Sequence, residues 1–362
     1  MTKNIEQPVE RNYGLDLVRT LAISLVLLIH AIGFSPAGYL SIIDGPFDYI
    51  RMFIHRICYT CVPLFVILSG YLNRHKEDPL KLYKKSGPRL VITYFFWEIF
   101  ITVLNVLCWG EDFSKLTIVK LFSYKVDSGR SWYMNMYFGL FLLMPFINRC
   151  WNTLDKSKKK IALCVLFLIS FVSKWIFSVS STVLGDDGNI ILISNYYYGC
   201  AFVFYYLVGA YIADFHIQMR KLKCFLGLFV VVALHTLYYF VRGWGMCFQD
   251  IPNATAFWYD NPILAVEAIL LFLLVYDLKI SGLCKNIVSN ISKQSFDMYL
   301  CSYIFDTIIY HRLFAMYNKI PVLVGIFICA ILSFVVSYLA AWIKNIIFEK
   351  VSIIGRSVHH GK

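Results

Sequence analysis

The chain has 362 residues, of which 59% are hydrophobic and only 15% charged. An average soluble domain is roughly 45–50% apolar and about 25% charged, so this composition excludes a disordered chain and argues against a soluble globule. The net charge is +12, from 34 Lys and Arg against 22 Asp and Glu. In so apolar a chain that excess first reports which side of a membrane the cations occupy, and it does not call for nucleic acid.

The apolar runs are near-continuous rather than alternating, which argues against an outer-membrane barrel and predicts an all-α, polytopic membrane protein. About ten spans are expected, at 15–34, 54–72, 90–109, 132–150, 161–180, 195–213, 224–241, 258–276, 296–316 and 321–347. The first is too long for a signal-peptide core, and no small-residue cleavage site follows it. With the N-terminus inside, the inside segments hold 23 Lys and Arg and the outside segments nine. That asymmetry predicts both termini in the cytoplasm. The simplest organisation is one membrane domain over 1–362, with short cytoplasmic tails at 1–12 and 348–362. The outer loops are expected at 35–53, 110–131, 181–194 and 242–257.

Ionisable residues within spans are costly and face a partner or a cavity. The first span carries Asp16, Arg19 and His30. Arg19 and His30 are eleven residues apart, which returns to the same helix face within about 20° and separates them by roughly 16 Å. Two readings compete here. Arg19 snorkels to lipid phosphates and His30 bonds at the interface, or one stripe presents a cation at one mouth and an imidazole at the other. Ser69-Gly70 ends the second span, where Gly allows close helix approach and Ser can bond a carbonyl or a ligand. The segment after it reads as a cytoplasmic loop with Lys84, Lys85 and Arg89 beside the membrane. These three suit either anionic lipid contact or a phosphate-binding rim.

Glu98, Lys174, Glu267, Asp297 and Asp306 are expected as counter-ions for other helices, and His235 as a helix–helix contact. Cys58 and Cys61 form a single C-x-x-C without the second pair a zinc site requires, so packing is the favoured role and no metal is expected. Trp132, Tyr133, Tyr196 to Tyr198, Trp244, Trp258 and Tyr259 suit an interfacial aromatic belt, or stacking against a sugar ring.

Together these residues resemble the acyltransferase 3 family of integral-membrane acyltransferases. The opening signature is carried by Asp16, Arg19 and His30, with ten residues between the last two. The string at 62–72, with Ser69 and Gly70, resembles the second signature. Lys84-Lys85 and Arg89 stand where the family usually has an Arg-Arg pair followed three residues later by Arg; here Arg89 comes four after Lys85. Ser131-Trp132-Tyr133 with Met144-Pro145, and SFDMYL at 295–300, resemble later motifs. Cys301 and Ser302 follow the last motif where a His is often found.

The resemblance implies acyl transfer, most often acetyl from cytoplasmic acetyl-CoA, to a hydroxyl of a cell-surface or lipid-linked glycan, in a bacterial plasma membrane. It implies His30 as general base, Arg19 positioned by Asp16, and Arg19, Ser69, Lys84, Lys85 and Arg89 holding the acyl-CoA. Trp132 and Tyr133 would bind the acceptor. No loop has room for a fused extracytoplasmic hydrolase domain. A multi-span transporter or glycan flippase is the alternative, with Arg19, Lys174 and Glu267 marking its path.

Overall fold

Asn12 starts the first helix: its extended backbone turns into the helix while its side-chain oxygen accepts the Gly14 N–H at 2.9 Å. The computed structural model describes residues 11–35, 46–109, 132–172, 197, 199–243, 259–314 and 321–359. Among the described residues the regular structure is helical, with no strand. The helices are α1 (Tyr13–Phe34), α2 (Pro46–Tyr59), α3 (Cys61–Asn73), α4 (Pro79–Trp109) and α5 (Trp132–Asn152). They continue with α6 (Lys156–Phe167), which runs into a π-helical turn at Leu168–Val172, then α7 (Cys200–Phe215) and α8 (Lys221–Gly243). The last are α9 (Pro262–Val275), α10 (Gly282–Phe314) and α11 (Val322–His359).

Among the described residues four stretches are long and apolar enough to cross a bilayer: Tyr13–Phe34, Tyr49–Asn73, Pro79–Leu104 and Val322–Lys350. Cys200–Phe215 and Pro262–Val275 are apolar but shorter. The described residues are those of an all-helical integral membrane protein. Lys174, Tyr196, Tyr198, Trp244, Trp258 and the expected loops at 110–131 and 181–194 lie outside the described residues.

Several boundaries differ from the sequence reading; residues 282–295, expected between spans, form the first turns of α10. Residues 79–89, expected as loop, form the first turns of α4. Asp78 caps them by accepting the Lys81 N–H at 3.0 Å, and Pro79 takes the first helical position, where its missing N–H costs nothing. Residues 46–53, expected as outer loop, belong to α2. Residues 348–359, expected as a tail, continue α11. The cations follow suit. Arg51 and Arg56, counted as outer-loop charges, are buried on α2, and Lys344 is buried on α11.

Helix α1 packs against α2, α3, α10 and α11 and so lies inside the bundle. Helices α3 and α7 meet backbone to backbone. A Cβ on Gly70 would stand 1.7 Å from the Tyr206 carbonyl oxygen, and one on Gly209 would stand 1.9 Å from that of Ile67. Only glycine permits this approach, and it brings Ser69 up against the neighbouring helices.

Two of the expected counter-ions find their partners here. Asp297 on α10 takes Lys344 of α11 at 2.7 Å, the Trp97 indole N–H of α4 at 2.7 Å and the Asn345 amide at 3.1 Å. His235 on α8 pairs with Glu267 on α9 at 2.9 Å, both buried. Charges desolvated this way hold only because each is paired and hydrogen-bonded.

Candidate active site

Helix α1 carries two polar stations. At the lower one, Asp16 accepts two hydrogen bonds from Arg11, at 2.8 and 3.1 Å. It also accepts one from Ser292 Oγ of α10 at 2.7 Å. Arg19 donates to the same Ser292 Oγ at 3.1 Å. Asp16 therefore reaches Arg19 through Ser292 rather than by the direct contact expected from their spacing. Arg11 competes successfully for the carboxylate because it approaches with a two-nitrogen fork. This leaves the rest of the Arg19 guanidinium free to face the neighbouring cavity.

That cavity has a volume of about 560 Å³ and lies between α1, α3, α4, α5 and α10. Arg19, Lys85, Arg89 and Lys293 line it together with Ser69, Asn73 and Tyr133, and no carboxylate does among the described residues. Lys85 and Arg89 share a face because they are four residues apart on α4, where a loop would have left their relation undefined. Lys84 lies about 100° round the helix from Lys85; it is exposed and does not line the cavity. Below this rim, the half-buried Lys76 ammonium is held under the ordinary lysine value, first by desolvation and then by the like charge of Lys85. The cavity thus brings four cationic side chains together.

The cavity wall is braced by a hydrogen-bond chain. Tyr206 OH donates to Asn148 Oδ1 at 2.9 Å, and the Asn148 amide donates to the Asn73 and Lys76 carbonyls at 2.8 and 2.9 Å. Asn73 in turn donates to Ser69 Oγ at 3.2 Å, and Ser69 Oγ lies 3.4 Å from Tyr137 OH. A fully satisfied buried chain of this kind holds its members in one geometry.

The upper station is His30. Its Nδ1 lies 2.9 Å from Asp306 Oδ2 of α10. Asp306 is fully buried, and its other oxygen accepts from Ser333 Oγ of α11. A carboxylate only accepts, so Nδ1 carries the proton and Nε2 presents its lone pair. Three helices thus converge on one imidazole. His30 and Asp16 do not line the cavity. Trp132 does not either: it stacks on Tyr259 at 5.0 Å, with Phe202 at 6.3 Å. Tyr133, expected beside it as an acceptor contact, faces the cavity instead.

Asp306, Ser333, Ser292, Tyr137 and Lys293 were not assigned to the site from sequence. Ser295 and Tyr299 of the SFDMYL string line the cavity. Cys58 and Cys61 are buried free thiols.

Residues 12–342 match the acyltransferase domain family known as acyltransferase 3. The chain belongs to that family. The match covers nearly the whole chain, so the family's activity applies to the bundle as a whole: it is a membrane acyltransferase. No curated protein and no solved structure matches the chain. Membership of acyltransferase 3 favours the enzyme over the transporter reading, and both stations on α1 lie inside the matched region.

Proposed function

We propose that this acyltransferase moves an acetyl group from acetyl-CoA to a hydroxyl of a cell-surface or lipid-linked glycan. The observation that carries the reading is the pairing, along α1, of a cavity lined by cationic side chains with a carboxylate-bonded histidine. Acyl-CoA joins an anionic nucleotide end to a thin, uncharged arm. Arg19, Lys85, Arg89 and Lys293 suit the phosphates. Ser69 and Tyr137 offer hydroxyls to the amides of the arm. The arm then follows α1 for the roughly 16 Å to His30.

In the transfer, the acceptor oxygen attacks the thioester carbonyl carbon while His30 Nε2 takes the hydroxyl proton. Asp306 stabilises the imidazolium through Nδ1–H. The carbon–sulfur bond then breaks, the thiolate takes the proton from His30, and the products are the acyl ester and free CoA thiol. Trp132 and Tyr259, already stacked, supply an aromatic edge on the acceptor side. The topology that fits this path has ten spans, both termini in the cytoplasm and the cavity opening there, in a bacterial plasma membrane.

The test is chemical. Membranes containing the protein are given acetyl-CoA labelled in the acetyl group, and the glycan fraction is treated with mild alkali. Label that enters the glycan and leaves as acetate is an O-ester made by this enzyme. Folded protein that transfers no label from any acyl-CoA contradicts the reading.

A further inference from the structure

The cavity does not reach His30. Along α10, Ser292 stands at the level of Arg19, to which it is bonded. Asp306 stands at the level of His30. Tyr299 is seven residues from each, about 10 Å above the first and below the second. At this midpoint four rings meet. Tyr133 stacks on Tyr137 at 5.9 Å, takes the edge of Tyr299 at 5.3 Å and packs against Phe65 at 6.2 Å. All four line the cavity, and neither His30 nor Asp306 does.

The four rings are held differently. Tyr137 is tied by its hydroxyl to Ser69. Tyr133 is held by ring contacts in the first turn of α5 and is buried in the middle of the layer. Above it the bundle is close-packed: Ala31, Ile32, Cys58 and Cys61 are at most 2% exposed. The unbranched cysteamine end of the arm can pass once one ring swings aside, but a long acyl tail would also have to find room between these rings and that packed region.

We propose that Phe65, Tyr133, Tyr137 and Tyr299 form the acyl-selectivity filter of this enzyme, closed at rest between the anion cavity and His30 and opened by displacement of the Tyr133 ring. This deepens the acyl-CoA reading and rests on it for the selectivity, whereas the closure itself can be read without any turnover. The filter admits a pantetheine arm ending in a small acyl group and turns away long or branched ones, and it keeps water from crossing along the donor path.

The chain carries its own reporter. Cys61 lies one turn above Phe65 on the same face of α3, so it sits directly behind the layer. Cys150 is exposed at the end of α5 next to Arg149, on the side of the cavity mouth. Sealed inverted vesicles are treated with a charged, membrane-impermeant methanethiosulfonate, and modification is quantified at each cysteine by mass spectrometry. In the wild type and in Tyr133→Phe, Cys150 is expected to react and Cys61 to stay protected. In Tyr133→Ala, and in Tyr133→Leu should the alanine variant fold poorly, Cys61 reacts as well. Cys61 reacting as fast as Cys150 in the wild type, or staying protected in both small variants, overturns the closure.

The same variants are given acetyl-CoA and octanoyl-CoA. The octanoyl-to-acetyl rate ratio is expected to rise at least about tenfold when the ring is removed. An unchanged ratio in variants whose Cys61 has become reactive overturns the selectivity role. Absence of transfer by the wild type from either donor contradicts the acyltransfer reading and the selectivity with it, while the labelling pattern still decides whether the layer is closed.

Discussion

Replacing Asp306 by asparagine separates the orientation of His30 from its presence. The side chain keeps its size, so the fully buried site is not opened. Ser333 donates to one oxygen and needs an acceptor there. The amide of the variant therefore keeps its oxygen toward Ser333 and turns its NH2 toward His30 Nδ1. Nδ1 becomes the acceptor, and the imidazole proton moves to Nε2, the nitrogen required to be free. Losing a hydrogen bond to a charged partner is worth about 1.5–3 kcal/mol, or roughly 10- to 150-fold. Losing the base altogether costs about 10²–10⁴. The expected result of Asp306→Asn is a fall in kcat within that combined range. The KM for acetyl-CoA should stay within about twofold, because the substitution acts on the chemical step and not on donor binding. Steady-state transfer in detergent or vesicles, with donor concentration varied, reads both. A kcat within threefold of wild type, or a loss confined to KM, would refute the assigned tautomer and with it the role of Asp306.

Three further outcomes follow from particular contacts. Lys85→Ala should raise the donor KM roughly fivefold, for about 1 kcal/mol of lost charge interaction at an exposed rim, while Lys84→Ala leaves it unchanged because Lys84 points away from the cavity; donor titrations of the two variants side by side check this. Gly70→Ala puts a methyl 1.7 Å from a backbone oxygen that cannot yield, and should cost about 3 kcal/mol or more in stability. Gly139→Ala, with nothing within 4 Å, should be neutral or slightly stabilising in the same thermal-unfolding assay. Lys344→Met leaves the Asp297 carboxylate buried with only neutral donors, Trp97 and Asn345; a loss of about 3–5 kcal/mol is expected, partly restored by adding Asp297→Leu.

What the sequence made legible was local. The all-helical membrane class follows from apolar runs, and the Arg19–His30 stripe from spacing along one helix. The resemblance to acyltransferase 3 rested on short strings, which the family match over 12–342 then supported. What it could not give was the partner across the bundle. Ser292 meets Asp16 over 276 residues of chain, and Asp306 meets His30 over the same separation. No periodicity encodes such a pairing, so Asp306 stood as one anonymous counter-ion among five. The basic segment that opens α4 reads as a loop from sequence because Gly87-Pro88 and a run of cations look like one. The Asp78-Pro79 start was present in the sequence but was outweighed. That one misreading concealed why Lys85 and Arg89, and not Lys84, share a face. Trp132 and Tyr133 are neighbours in sequence, yet successive residues on a helix diverge by about 100°, so one joined the stack with Tyr259 and the other the cavity.

The most direct measurement is the initial rate of labelled acetyl transfer from acetyl-CoA to glycan by wild type, His30→Ala and Arg19→Ala, at matched amounts of folded protein and over a range of donor concentrations. The two-station site predicts a split: His30→Ala loses kcat with donor binding retained, and Arg19→Ala raises the donor KM. Full turnover in His30→Ala, or wild-type donor dependence in Arg19→Ala, would contradict it.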